Sequence, residues 1–143
     1  MAQAQAVRAA PQTVHPAVAL TAAALPLLGF VLFLLVPYHL SGLDEVTLAE
    51  VAGGAHDPKD LWPYPDGGPL ASFFQAGAAL TVYFGAIVAA LGAMLSLHGL
   101  ATEWRVARRM RKAVWVAGVV SATTLLTLGL TPLGIALWAW QTD

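Results

Sequence analysis

The stretch LASFFQAGAALTVYFGAIVAALGAMLSLH, residues 70–98, decides how this chain must fold. No Asp, Glu, Lys or Arg interrupts the sequence between Asp66 and Glu103. A helix needs about 20 apolar residues to cross the hydrocarbon core of a bilayer, and this stretch exceeds that length. It therefore predicts a transmembrane helix over residues 70–98.

Two further stretches of the chain lack Asp, Glu, Lys and Arg over a similar length. They predict spans over residues 17–40 and 113–139, so the chain is predicted to be an all-α membrane protein with three transmembrane helices. The composition agrees, because 10% of the 143 residues are charged, against roughly a quarter in soluble domains. We expect a single three-helix domain over residues 1–143, with a polar N-terminal tail over residues 1–16.

Lys and Arg are distributed unequally among the segments outside the spans. Loop 41–69 contains Lys59 against six acidic residues, whereas the N-terminal tail contains Arg8. The positive-inside rule therefore predicts that the N-terminus and loop 100–112 are cytoplasmic, and that loop 41–69 and the C-terminus are extracytoplasmic. Five of the seven basic residues lie in loop 100–112, namely Arg105, Arg108, Arg109, Arg111 and Lys112.

The extracytoplasmic loop is predicted to have two parts. Ser41 or Asp44 can cap a short helix that ends before two consecutive glycines. Residues 56–69, HDPKDLWPYPDGGP, contain four prolines and predict irregular backbone. Within this part, Trp62 and Tyr64 are expected to contact lipid headgroups or a partner protein.

Span two contains small side chains at every fourth position, which predicts a ridge along one helix face. In lipid, such a ridge lets two helix backbones approach closely. The partner could be another span of this chain or another protein. The predicted packing residues are Gly77, Thr81, Gly85, Ala89 and Ala93.

Span three contains a row of hydroxyl side chains, Thr123, Thr127 and Thr131, on one helix face. These hydroxyls can bond to carbonyls of their own helix, including the carbonyl of Leu128 that Pro132 leaves free. The row is interpreted either as a helix-packing surface or as a polar stripe lining a pore.

The sequence contains few groups that could perform chemistry. It has no cysteine, no nucleotide-binding or hydrolase motif, and no Asp, Glu, Lys or Arg within a span. Intramembrane charges are typical of ion pathways and proton relays, so their absence argues against an ion-coupled transporter. The basic loop is expected to contact anionic lipids or an acidic partner protein, and not nucleic acid.

Two histidines are candidate ligands for a haem or pigment shared with a partner. His98 lies at the inner end of span two, and His39 lies at the outer end of span one. Axial ligation of haem by histidine is the chemistry in question. No cofactor is expected on this chain alone, and interfacial hydrogen bonding is the alternative role of these side chains.

Two resemblances to known families follow from these features. His98 in span two and the basic loop 100–112 give a layout that resembles the membrane-anchor subunits of succinate dehydrogenase. In that family the haem-ligating histidine lies deeper in span two, and this chain lacks the family's downstream Asp-Tyr pair. Residues 72–77, SFFQAG, are similar to a stretch of photosystem I subunit L. Neither resemblance assigns a role to a residue.

Together these features predict a non-catalytic accessory subunit of a larger membrane complex, of the respiratory or photosynthetic electron-transport type. Its expected location is a bacterial inner membrane or an equivalent bioenergetic membrane, with other membrane subunits as partners. One alternative is a membrane anchor that contributes to a haem or quinone pocket. Another is a small homo-oligomeric pore or transporter.

Overall fold

The computed structural model of this chain describes residues 14–142. Within this range the structure consists of helices and connecting loops, and it contains no strand. Most of the predicted polar tail lies outside the described residues. The α-helices are α1 (Pro16–Phe30), α2 (Val36–Leu40), α3 (Leu48–Ala52), α4 (Gly68–Glu103), α5 (Arg109–Gly129) and α6 (Pro132–Thr142).

Three helical segments are long and apolar enough to cross a membrane: span one (Pro16–Leu40), span two (Gly68–Glu103) and span three (Arg109–Gly129). The prediction of an all-α chain with three such helices is confirmed. These segments are compatible with an integral membrane protein. Span two is about 54 Å long at 1.5 Å per residue, which exceeds the thickness of a hydrocarbon core of about 30 Å.

Span one is continuous, but its helix widens before Pro37. Residues Val31–Leu35 form a π-helical turn, in which the N–H of Val36 donates to the carbonyl of Val31. Pro37 has no N–H, and its ring would clash with the carbonyl four residues earlier in a regular α-helix. The wider turn relieves this conflict, so α1 and α2 form one span without a break.

Span three ends at Gly129, and α6 begins three residues later. The predicted segment 113–139 therefore consists of two helices. Pro132 cannot donate to the helix ladder, whereas Thr131 connects the two helices through its hydroxyl. This hydroxyl donates to the carbonyl of Leu128 over 2.6 Å and accepts from the N–H of Gly134 over 3.1 Å. Span three alone is about 31 Å long, which suffices to cross a bilayer.

The short helix α3 begins later than the sequence predicted. Its N-cap is Thr47 rather than Ser41 or Asp44, because Thr47 and Glu50 form a capping box. The hydroxyl and the N–H of Thr47 donate to the Glu50 carboxylate over 2.7 and 2.9 Å, and they lower the pKa of Glu50. The helix α3 packs against α6, so the loop between spans one and two contacts the C-terminal helix.

Candidate functional site

Spans one and two meet along a face of small residues, which includes part of the predicted ridge. Thr81, Gly85 and Ala89 are buried there. A Cβ added at Gly29 would lie 2.5 Å from the Thr81 hydroxyl oxygen, and one added at Gly85 would lie 3.7 Å from Cβ of Pro26. The ridge therefore faces span one of the same chain.

The two ends of the predicted ridge differ from its centre. At one end a Cβ at Gly77 would collide with the Phe33 ring. At the other end Ala93 is half-buried, and Gly92 makes the close contact with span one instead. A Cβ added at Gly92 would lie 2.5 Å from the backbone N of Ala23. A row at every fourth residue rotates by about 40° per step around a helix of 3.6 residues per turn. The contact line therefore moves from Ala93 to Gly92. These pairings also show that spans one and two are antiparallel.

An aromatic cluster lies where span one approaches the start of span two. Phe33 makes edge-to-face contacts with Phe73 and Phe74, at centroid distances of 5.3 and 5.6 Å. Trp62 contacts Phe74 at 5.3 Å, and its carbonyl accepts a hydrogen bond from Ser41. The structure places Trp62 partly on this cluster, with 38% of its surface exposed.

The second predicted aromatic contact, Tyr64, lies against the C-terminal helix α6. The Gln141 side-chain amide donates to the Tyr64 hydroxyl over 3.4 Å. Nearby, the buried Trp140 donates to the carbonyl of His56 over 2.8 Å. Burial raises the pKa of Tyr64 above its ordinary value of 10.0. These bonds fix the loop between spans one and two to the end of the chain.

A cavity of about 440 Å³ lies between this loop, the first half of span two and the end of α6. Ligand sites in proteins have volumes of roughly 300–1,000 Å³ and combine apolar walls with a few polar groups. Both kinds of group are present here. Its polar lining includes Lys59, Tyr64, Gln75 and Gln141, and its apolar lining includes Ala79 and Val82.

At the opposite end of the bundle, Glu103 forms a buried polar cluster that the sequence reasoning missed. Glu103 is 8% exposed. Nη2 of Arg111 donates to one carboxylate oxygen over 2.7 Å, and Nε of Arg111 lies 2.6 Å from the other. The indole N–H of Trp115 also donates to Glu103, over 3.4 Å. One feature of the sequence could have indicated this cluster, since Glu103 is the lone acidic residue in a strongly basic segment.

Trp115 brings spans two and three together beside this cluster. Its indole is buried and lies against Gly99, where an added Cβ would collide with the ring. Glycine is therefore required for this close approach. The Glu103 cluster and the Trp115 indole together form one connection between the two spans.

The five basic residues of the predicted contact loop fall into two groups. Arg111 pairs with Glu103, and Nζ of Lys112 lies 5.0 Å from the ring centroid of Trp104, in cation–π geometry. The remaining three, Arg105, Arg108 and Arg109, are exposed. The structure therefore leaves three guanidinium groups at the surface, two in the connection between spans two and three and one at the first residue of α5.

The predicted hydroxyl row lies mostly on the exposed face of the bundle, whereas its last member, Thr131, is half-buried between span three and α6. Thr123, Thr124 and Thr127 are exposed, and the Thr127 hydroxyl donates to the carbonyl of Thr123 over 2.8 Å. Together with Val120 they line an open groove of about 390 Å³. This face points away from the packed surfaces of spans one and two.

The two histidines proposed as haem or pigment ligands lie at opposite ends of the bundle, since spans one and two are antiparallel. Both are exposed, and Nδ1 of His39 lies 3.6 Å from a carboxylate oxygen of Asp44. His39 and His98 therefore cannot ligate the same group within one chain. Among residues 14–142 there is no group of three or more His, Asp or Glu side chains that could hold a metal ion.

Comparisons with protein-family models, with curated proteins and with solved structures found no match.

Proposed function

We propose that this chain is a non-catalytic accessory subunit of a larger membrane protein complex. The observation that supports this most is the exposed hydroxyl face of span three, formed by Thr123, Thr124 and Thr127. Helix interfaces in lipid are enriched in small and hydroxyl-bearing residues, since these permit close backbone approach. A face of this composition, unused by the other two spans, suits a helix of another subunit.

The exposed part of the basic loop offers a second contact. Arg105, Arg108 and Arg109 present guanidinium groups that can bind carboxylates through two parallel hydrogen bonds. Arg111 and Lys112 are occupied within the chain. The three exposed arginines would contact acidic side chains of a partner, with anionic lipid headgroups around them.

The type of complex is the finer part of the proposal. The three-span layout with a basic loop before span three, and the resemblance to succinate dehydrogenase anchors, favour an electron-transport complex of a bacterial inner membrane or an equivalent bioenergetic membrane. Because His39 and His98 lie at opposite ends, these two histidines of one chain would not ligate the same haem or pigment.

The orientation of the chain is proposed from its charges, with loop 100–112 in the cytoplasm. The sequence contains no cysteine, so single cysteine variants give unambiguous labelling. In intact cells, an impermeant thiol reagent should label Gly54→Cys and should leave Ala107→Cys unlabelled. The reverse pattern would invert the proposed topology.

Co-purification tests the proposed partnership. The chain would be solubilised from its native membrane in a mild detergent, and the proteins that co-migrate with it would be identified. The double variant Thr123→Val/Thr127→Val keeps side-chain shape but removes both hydroxyls, and it should lose the co-migrating subunits. Thr21→Val, at an exposed threonine of span one, is the matched control and should retain them. Recovery of the wild-type chain only as copies of itself would contradict the proposal and favour a homo-oligomeric pore.

A further inference from the structure

The cavity of about 440 Å³ has a polar end and an apolar end. The polar end is formed by the loop and α6, which contribute Lys59, Tyr64 and Gln141. Span two contributes the other wall: Ala71, Ser72 and Gln75 lie nearer the loop, and Ala79, Val82 and Tyr83 follow further along the helix. At 1.5 Å per residue, Gln75 lies about 10 Å from the start of span two and Val82 about 21 Å. The ammonium and amide groups of the lining therefore lie towards the loop, whereas the aliphatic side chains of Ala79 and Val82 lie beside Tyr83 towards the middle of the bundle.

This order of groups matches the arrangement of a bilayer lipid, whose headgroup lies at the interface and whose acyl chain extends inwards. We propose that the cavity binds one phospholipid molecule, with its phosphodiester near Lys59 and Tyr64 and an acyl chain along Ala79 and Val82. Among the described residues that line the cavity, Lys59 is the only charged one. One ammonium group and neutral donors suit the single negative charge of a phosphodiester.

Two further groups indicate the kind of headgroup. Oε1 of Gln141 is buried and has no hydrogen-bond partner among residues 14–142. It needs a donor, because a buried acceptor without a partner is costly. The carboxylate of Asp57 lies 3.6 Å from Nζ of Lys59, so an acceptor also lies next to the cation. A headgroup with its own donors, such as the hydroxyls of glycerol or the ammonium of ethanolamine, satisfies both acceptors while its phosphate contacts Lys59.

Native mass spectrometry of the full chain tests this site. Wild-type protein in detergent, supplied with phosphatidylglycerol, should retain one lipid molecule after detergent removal. Lys59→Ala should weaken that binding about fivefold, which is the effect of one lysine at an anionic headgroup. Lys59 has an exposed side chain in an irregular loop, so this variant should remain folded.

A matched pair of variants tests the apolar end. Ala79→Phe fills the cavity beneath the headgroup and should abolish lipid retention, whereas Ala76→Phe adds the same ring at an exposed position outside the cavity and should not. Equal retention in the two variants would overturn the proposal. Glycerophosphoglycerol, which has the headgroup without acyl chains, should fail to displace the lipid. Displacement would show that the cavity binds only the headgroup phosphate and not a whole phospholipid. The proposal would also be overturned if a quinone displaces the lipid and if wild type and Lys59→Ala retain the lipid equally.

Discussion

Two rows of small and hydroxyl-bearing residues look alike in this sequence, and the structure places them in opposite environments. The row on span two, represented by Thr81 and Gly85, is buried against span one. The row on span three, represented by Thr123 and Thr127, is exposed. The two rows also share the same local hydrogen bond: the hydroxyls of Thr81 and Thr127 each donate to the carbonyl four residues earlier over 2.8 Å. Periodicity thus identifies a face but not what covers it.

The difference between the two rows comes from the residues opposite them. Across from the span-two row, span one presents Ala23, Pro26 and Gly29, which leave room for another backbone. No comparable surface of the chain lies over the exposed row of span three within the described residues. Shape complementarity within the chain, rather than composition of one helix, decides which row is internal.

The largest effect is expected where the backbones of spans one and two are closest. Gly92→Ala would place a Cβ 2.5 Å from the backbone N of Ala23 and 2.8 Å from its Cα, so the helices must separate. Overpacking of this kind typically costs about 1–3 kcal/mol. The thermal unfolding midpoint in mild detergent, followed by circular dichroism, should fall clearly.

Gly85→Ala is the matched control for that variant. Its Cβ would make ordinary contacts at 3.7 Å with Pro26 and Thr81. Its stability should therefore lie within about 1 kcal/mol of wild type, because the better helix propensity of alanine opposes any small crowding. A larger loss in Gly85→Ala than in Gly92→Ala would mean that the contact line follows every fourth residue after all.

An intermediate effect is expected at the polar connection between spans two and three. Glu103→Gln removes the charge that pairs with Arg111, while the shape of the side chain is kept. Because the Arg111 side chain is 41% exposed, water can solvate it after the change, and we expect a loss of about 1–2 kcal/mol. The same unfolding assay measures this loss, and the change in total Trp fluorescence relative to wild type is a second readout, since Trp115 is one of the five tryptophans. Arg105→Gln, which alters an exposed charge, should leave both readouts unchanged; an equal loss there would mean that net loop charge matters and the specific pair does not.

Sequence reasoning succeeded where one physical term dominates. Charge-free stretches of sufficient length predicted three helices, and Pro132 with Thr131 predicted the hydrogen bond to the carbonyl of Leu128. The sequence did not predict that span three ends at Gly129. It did not identify Gly92, since the drift of a four-residue row depends on real helix geometry. Nor did it identify the cavity or the Glu103 cluster. The cavity requires α6 to fold back onto the loop, which depends on tertiary contacts such as the bond from Trp140 to the carbonyl of His56. The cluster requires Arg111 and Trp115 to reach across a turn.

The smallest effect distinguishes the two rows most directly. Thr81→Val and Thr127→Val make the same change to two hydroxyls with the same local bond. At Thr81 the hydroxyl oxygen is packed closely against Gly29, so the larger methyl group crowds span one and should cost up to about 1 kcal/mol. At Thr127 nothing within the described chain opposes the new methyl group, and the isolated chain should change by less than about 0.5 kcal/mol. Unfolding midpoints of the two purified variants, measured in the same detergent, give the comparison. If Thr127→Val destabilises the isolated chain as much as Thr81→Val does, the exposed row of span three is packed by the chain itself, and the surface proposed for a partner subunit is already occupied.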